Sequence, residues 1–375
     1  MADRKKKFPL HILVLADVFF PDTIGGAGRV AKELSVALAK RGHSIRVISR
    51  NVRGRLPEIE NPAEGIVVHR FDVRNKKGAG FFADEIVNTV KTVKNMRCEW
   101  NFDAVCIHQS LSGIGPLLAG QLKETPVLYF FHSPWHEEFI EKTTGQGKRL
   151  YRKIALAAGL MKTIEQIVTR KSSRLCVLSS YMAQKAMTIH GLRREKISIL
   201  PAGVDTSRFC LPGLGQKALR NALDLPSEKT VFFTARNLVP RMGLENLVKA
   251  FAGANILSTK AVLVIAGSGE LRKRLLQLIE SCHLDGKVRL LGHVADEKLI
   301  QLYQAADYFV LPTAALEGFG LVILEAMACG TPVVGTNVGA IPEVISAFDP
   351  RLVVPDGGAP AIRQCLETIV SNPDL

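Results

Sequence analysis

PTAALEGFGLVILEAMACGTPVVGTNVGA, residues 312–340, is the stretch whose reading decides the fold. The apolar run Tyr308–Leu311 leads into it and reads as a short strand. A loop holding Glu317 follows, then Gly318 and Gly320, then an apolar helix over 321–329 that carries Glu325, then another strand at 332–334. Glycine at a helix start lets backbone N–H groups approach a ligand closely, and the positive end of the helix favours negative charge. Phe319, Gly320 and Leu321 can therefore offer bare amides, with one carboxylate before them and one after. That set suits an anionic, polyhydroxylated ligand. A plain strand–loop–helix unit with solvated carboxylates would look the same, so the segment alone does not choose.

Working outward, the same alternation fills the chain. LHILVLA at 10–16 is a continuous apolar run, as expected of a strand buried on both faces. A glycine-rich loop with Gly25 and Gly26 follows, then a helix over 27–41 and a strand over 45–48. Gly26-x-Gly28-x-x-Ala31 has the form of a dinucleotide fingerprint. The preceding loop is too long for the tight turn, and the second strand ends in Ser49-Arg50 instead of an acidic residue, so a nicotinamide-dependent dehydrogenase is set aside. Strands are expected at 65–71, 104–107, 127–131, 175–178 and 197–200, and helices at 81–96, 112–122, 148–170 and 181–190. After PAGVDTSRFCLPGLG, which has linker composition, strands are expected at 230–234, 262–266, 288–291, 308–311, 332–334 and 352–354. Helices fall between them at 243–251, 270–282, 296–305, 321–329, 341–346 and 359–370. Strands alternating with helices imply parallel, doubly wound sheets whose ligands bind at the carboxyl ends of the strands. The expected architecture is α/β, with two Rossmann-like domains, 1–205 and 206–375, facing a cleft.

Composition narrows the class. The chain has 375 residues, 47% of them hydrophobic, and a mean hydropathy of +0.14, which describes well-filled globular domains. No uncharged apolar run is long enough to span a bilayer. The basic N-terminus reads as a tail leading into a buried strand, not as a signal peptide. Seven scattered Cys point to a reducing compartment with buried thiols, hence a cytoplasmic location. The net charge of +14 calls for an anionic partner. Nucleic acid is not expected, because no recognition helix, zinc finger or RNA-binding aromatic signature is present. From Lys142 to Arg174 there are nine Lys or Arg against one Glu, with an apolar stripe of Leu150, Ile154, Ala157, Met161, Ile164 and Val168. This is either a packed helix with a basic solvated face or a surface that rests on anionic lipid, which would make the protein peripheral to the inner face of the plasma membrane. His132, in FHSPWHEEF directly after a strand, is a candidate cleft residue.

With these pieces placed, the chain resembles a family 4 glycosyltransferase of the GT-B fold over nearly its whole length. The residues that carry the resemblance are Gly25-Gly26, FHSPWHEEF, PAGVD at 201–205, ARNLVPRMGLENLVKAF at 235–251, IAGSGE at 265–270, LGHV at 291–294 and, most specifically, EGFGLVILEAMACGTPVVGTNVGAIPEVI at 317–345. The resemblance implies a hexosyltransferase that takes a nucleoside diphosphate sugar, needs neither metal nor other cofactor, and retains anomeric configuration. It implies catalytic roles for His132, Arg236 and Glu317. Glu317 would meet the donor sugar, Glu325 the ribose, Arg236 the diphosphate, and backbone at His293 and Val294 the base. Gly25, Gly26 and Gly269 join the donor-binding set, with the amides of Phe319, Gly320 and Leu321. Position 242, where the family commonly has Lys, is Met, so Arg241 is the candidate second cation. The resemblance implies a final helix that crosses back to the first domain, and the sequence stops at Leu375 soon after its last expected helix, so either the sequence is cut short or that crossover is missing. The acceptor is a glycan, a lipid-linked sugar or a small molecule, in bacterial glycan or glycolipid synthesis. Met242 and the short end also leave open a catalytically silent sugar-nucleotide-binding protein.

Overall fold

A computed structural model describes residues 9–22, 25–52, 54–74, 78–143 and 151–372. The chain divides into two units between Leu200 and Pro201, slightly ahead of the boundary at 205 read from the sequence.

The first unit runs β1 (His11–Leu15), α1 (Gly26–Lys40), β2 (Ser44–Arg50), β3 (Ile59–Ala63), β4 (Ile66–Phe71), α2 (Gly78–Glu99), β5 (Ala104–Ile107), α3 (Ser110–Leu118), β6 (Val127–Phe130), α4 (Trp135–Thr143), α5 (Tyr151–Lys171), β7 (Arg174–Val177), α6 (Ser180–His190) and β8 (Ile197–Ile199). Its sheet has the order β3-β4-β2-β1-β5-β6-β7-β8, parallel throughout except for the β3–β4 pair. Leu13 lies opposite Arg46 on one side and Val105 on the other, which sets the centre of the register. One apolar layer gathers Leu13, Leu15 and Val105 with α2, α3 and α5 residues, and the opposite layer gathers Val14, Val47 and Ala31. Helices on both faces explain why the central strands lack polar alternation.

The second unit runs α7 (Gln216–Ala222), β9 (Thr230–Ala235), α8 (Leu244–Ala252), α9 (Asn255–Lys260), β10 (Ala261–Ala266), α10 (Arg272–Ser281), β11 (Val288–Gly292), α11 (Asp296–Ala305), β12 (Tyr308–Leu311), α12 (Leu321–Ala328), β13 (Val333–Thr336), α13 (Ile341–Ile345), β14 (Val353–Val354) and α14 (Ala359–Ser371). The sheet order is β11-β10-β9-β12-β13-β14, all parallel. Every residue of β10 is buried. Tyr303 of α11 packs edge-on against Phe233 with ring centroids 5.3 Å apart, and the tilted Phe309 ring lies 5.2 Å away, joining α11 to the two strands at the middle of the sheet. Fully burying one such side chain stabilises by about 1.5–3 kcal/mol.

Several local elements differ from expectation, among them the short helices α7 and α9, which lie outside the expected helical stretches. The strand β3 was not foreseen: IENPA has no apolar alternation and is largely exposed, because it is an antiparallel edge strand that tolerates Pro62. Helix α4 was also unforeseen, since it is short and buries none of its residues. On α5, Met161 and Val168 are buried as the stripe requires, whereas Ile154, Ala157 and Ile164 are half-buried and Leu150 lies outside the described residues. Leu156 and Leu160 are instead 78% and 55% exposed. The thiols are also less uniformly buried than expected: Cys98 and Cys210 are exposed, and all seven are free.

Candidate functional site

In the second unit the strand order reverses between β9 and β12. In an open parallel sheet the crevice at such a reversal, beyond the carboxyl ends, is where ligands bind. Arg236 is the first residue after β9, and Pro312 and Thr313 are the first after β12. The Arg236 side chain reaches across this gap. Its Nη2 donates to Glu317 Oε2 at 2.7 Å and to Thr313 Oγ1 at 3.3 Å. Its Nε and Nη2 also point at Met242 Sδ, at 3.1 and 2.6 Å. The guanidinium is thus held by one acid, one hydroxyl and one thioether.

The loops around it are lashed together through their backbones. Arg236 N donates to Ala266 O, Leu238 N to Ser268 O, Leu271 N to Leu238 O, and Gly267 N to Gly292 O. Gly269, at φ 156, lies so near this lattice that a Cβ there would stand 2.4 Å from Leu238 O. The glycine is therefore required by close approach, and its contact in this structure is with the neighbouring loop. His293, exposed, and Val294, half-buried, follow the edge strand β11 just past Gly292.

Gly320 caps α12 from the left-handed region, φ 83, and Phe319 before it is buried. The amides of Leu321 and Val322 have no acceptor within the helix by position, Ile323 N donates back to Gly320 O at 2.8 Å, and no acidic side chain occupies the first turn. Glu325, one turn further, is only 2% exposed and accepts from the Tyr303 hydroxyl at 3.0 Å. Arg241 lies in the 3-10 turn Pro240–Met242, and its Nη1 donates to Leu316 O at 2.9 Å. The expected second cation is therefore engaged by the backbone carbonyl that precedes Glu317.

Gly25, Gly26 and His132 belong to the first unit. Gly25, φ 87, precedes α1, and Gly26 is its first residue. Here too the strand order reverses, between β1 and β5. Asp17 follows β1, and its Oδ1 accepts from Ser112 N at 3.2 Å. His108 follows β5, and its Nδ1 lies 3.2 Å from His132 Nε2. The His108 ring also stacks on Phe130 at 4.6 Å. Burial pushes the His132 imidazole down to about 4. His108 is held well below the ordinary range by burial and then by His132. Both rings are neutral at pH 7, so one N–H donates to the other ring and His132 keeps its Nδ1 for another partner.

The first unit holds two further polar clusters. Glu85 of α2 is fully buried 3.8 Å from Arg50, whose guanidinium also lies over the Phe81 ring. Burial, and then the charge of Asp17, raise Glu85, with Arg50 pulling the other way. Glu165 of α5 is likewise buried; it accepts from Trp135 N at 3.3 Å and lies 3.2 Å from His190 Nε2. It fixes the start of α4, directly after the His132 loop. His108, Thr313, Leu316, Tyr303, Glu85 and Glu165 were all missed from sequence. His108 alone carried a signal, a polar residue closing an apolar strand run as His132 does. Among the described residues no three His, Cys, Asp or Glu side chains gather as a metal-binding group.

Two family descriptions match the chain: "Glycosyltransferase Family 4" over residues 24–208 and "Glycosyl transferases group 1" over residues 215–375. The chain belongs to the group 1, family 4 glycosyltransferases. This family 4 glycosyltransferase is 27% identical over 363 residues to a D-inositol 3-phosphate glycosyltransferase of Pseudarthrobacter chlorophenolicus, covering 93% of this chain and 83% of that one. Its fold is similar to that of sucrose-phosphate synthase from Thermosynechococcus elongatus, at a TM-score of 0.77 and 22% identity, over 97% of this chain and 90% of that one. HepE of Anabaena, solved with UDP and glucose, is similar at a TM-score of 0.74 and 20% identity, over 97% and 90%. These neighbours place the two parallel-sheet units in the GT-B class.

Proposed function

We propose that the chain transfers a sugar from a nucleoside diphosphate sugar to a hydroxyl acceptor, with retention of anomeric configuration and without a divalent metal in the step. The observation that carries this reading is the Arg236–Glu317 pair at 2.7 Å, set at the strand-order reversal beside the head of α12. Breaking the donor's glycosidic bond leaves its electron pair, and so negative charge, on the diphosphate. A guanidinium can meet that charge through paired N–H donors, and the head of α12 adds its partial positive charge. Glu317 is then the acceptor for a donor-sugar hydroxyl, and Glu325 for the ribose. The acceptor oxygen bonds to the anomeric carbon on the face the phosphate leaves, and its proton passes to the departing phosphate oxygen. For His132, in the first unit, the reading keeps the role implied by the resemblance, a neutral hydrogen-bonding group. HepE's complex with UDP and glucose supports a sugar nucleotide as donor. The relative named for D-inositol 3-phosphate supports a small polyol as one acceptor class, beside glycans and lipid-linked sugars.

A peripheral membrane role is part of the proposal. Ile140 on α4 and Leu156 and Leu160 on α5 are exposed at 43, 78 and 55%, on helices that pack against each other. Arg152, Lys153 and Lys162 are exposed on the same stretch of α5. Apolar side chains among cations suit an anionic lipid surface.

The decisive test begins with thermal shift against UDP, GDP and ADP. The matching glucose donor is then incubated with the protein in EDTA, with water as acceptor, and the released sugar is read by NMR before mutarotation. The reading expects one diphosphate to stabilise the protein, hydrolysis to persist in EDTA, and the first-formed sugar to keep the donor's anomeric configuration. No binding, loss of turnover in EDTA, or inversion would each overturn the corresponding part.

A further inference from the structure

We propose that Arg241 is a positioning residue: it holds the Leu316–Glu317 peptide in place for the Arg236–Glu317 pair and does not itself bind the donor phosphates. The role of that pair in catalysis rests on the donor reading above; the conformational claim does not.

The loop leaving β12 turns on Leu316, which sits at φ 58. The other non-glycine residues of positive φ among those described are Asp224 and His283. Asp and His tolerate the left-handed region comparatively well, whereas Leu has no side-chain polar atom to offset the crowding of its Cβ. Such a conformation persists only where the surroundings over-determine it. Here the surroundings are largely Arg241. Its carbonyl accepts from Ala314 N at 2.8 Å and Ala315 N at 3.3 Å, and its guanidinium donates to Leu316 O at 2.9 Å. One residue thus grips the loop on both sides of its bend. Beyond the bend, Ala340 N donates to Glu317 O at 3.0 Å and fixes the far side. The carbonyl that Arg241 holds belongs to the peptide joining Leu316 to Glu317. Its orientation therefore sets where the Glu317 side chain leaves the backbone, and so its 2.7 Å approach to Arg236.

The next residue completes the arrangement. Met242 is 5% exposed, with its sulfur against the Arg236 guanidinium. The 3-10 turn aims consecutive side chains at different targets, Arg241 at the acid's peptide and Met242 at the cation. A thioether is a neutral, weak acceptor. It lets Arg236 keep its charge for Glu317 and an incoming anion, where a second cation at this place would repel it.

The test uses the full chain carrying Arg241→Ala, Arg241→Lys, Leu316→Gly, and Arg241→Ala with Leu316→Gly. Crystals of Arg241→Ala without ligand are expected to show Leu316 returned to negative φ and Glu317 parted from Arg236. An unchanged loop over 312–320 would overturn the proposal whether or not the donor reading holds. In solution, Arg241→Ala is expected to lower kcat for donor hydrolysis by about 10- to 100-fold, as a misplaced catalytic group does. The dissociation constant of the diphosphate selected from UDP, GDP and ADP should not rise, because no phosphate contact is lost and Arg236 is released from Glu317. Leu316→Gly removes the need for an external hold, so the double variant should regain most of the lost kcat. Arg241→Lys, which keeps one donor, should fall between wild type and Arg241→Ala and serves if the alanine variant folds poorly. Diphosphate binding weakened tenfold with kcat unchanged would show Arg241 to be a phosphate ligand, and strictly additive effects in the double variant would overturn its hold on Leu316. If wild type binds none of the three diphosphates, the donor reading fails, and the crystals still decide the role of Arg241.

Discussion

The guanidinium of Arg236 and the carboxylate of Glu317 face each other at 2.7 Å with side chains only 8 and 13% exposed. The cation expected to meet the diphosphate and the acid expected to meet the sugar are thus each other's partner. A ligand that draws Arg236 away without occupying Glu317 leaves a largely buried acid under-satisfied, which is costly. A complete donor supplies both groups at once. On the proposed donor reading, this arrangement would tie recognition of the sugar to recognition of the diphosphate.

Arg236→Ala should lower kcat/KM for transfer about 100-fold or more, since it removes charge stabilisation needed as the diphosphate departs. Steady-state kinetics with the selected donor checks this. Near-normal turnover in a folded variant would remove Arg236 from the mechanism.

Glu317→Gln should separate binding from chemistry. The variant frees Arg236 from its ion pair, so the nucleoside diphosphate alone should bind several-fold more tightly, while kcat falls about 100-fold because a sugar contact is lost. Calorimetric titration with the diphosphate gives the first quantity and initial rates the second. Weaker diphosphate binding would mean the pair holds Arg236 in place instead of restraining it.

The neutral His108–His132 pair predicts a wide acid tolerance of the rate. His132 takes a proton only near pH 4, so kcat should hold to about pH 5 and decline below it as the imidazole charges. Stability carries the same sign. A histidine with a folded pKa below its unfolded value contributes stability that is complete above the unfolded pKa, near 6.5, and is lost as pH falls toward the folded one. His132→Asn should flatten the decrease in Tm between pH 6.5 and 4. An activity limb centred near 6.5 in wild type would contradict the neutral pair.

Glu85 acts in the opposite sense. Its carboxyl is raised by burial, so the stability of its protonated form is present below the unfolded pKa and declines as pH rises through the folded one. Glu85→Gln keeps the shape without the charge and should raise Tm at pH 9 relative to wild type while changing it little at pH 5. Thermal melts at the two pH values decide this. An equal shift at both would remove the charge from the explanation.

Membrane association should depend on both parts of the α5 surface. Wild type should sediment with vesicles containing phosphatidylglycerol at low salt and be released at high salt, because surface attraction is screened. Leu156→Asp with Leu160→Asp should abolish sedimentation at low salt with Tm preserved, since both leucines are exposed. Retained binding in that variant would place the lipid contact elsewhere.

The sheets were legible because their strands are buried on both faces. AVLVIA at 261–266 has no polar position, and each residue is indeed buried. The loop-and-helix signature from Glu317 to Glu325 was legible because glycine and acid spacing within one strand–loop–helix unit survives in the linear chain. Exposed elements were not. The strand Ile59–Ala63 owes its existence to the neighbouring Ile66–Phe71 rather than to its own composition. Side-chain direction was lost for the same reason. Adjacency made Arg241 the natural substitute for the cation missing at Met242, but the turn at Pro240–Met242 sends it to Leu316. Glu85 and Glu165 read as ordinary polar helix positions, and only packing reveals them as buried acids.

The apolar interior of the second unit is built from residues 204–370, and the two interiors of the first from residues 10–199. Among the described residues, each of these clusters is made of side chains from one unit. Natural selection can therefore remodel the groups on one lobe's rim without loosening the other's centre. A chimaera carrying residues 1–200 from a relative should therefore keep the apolar interior built from residues 204–370 intact.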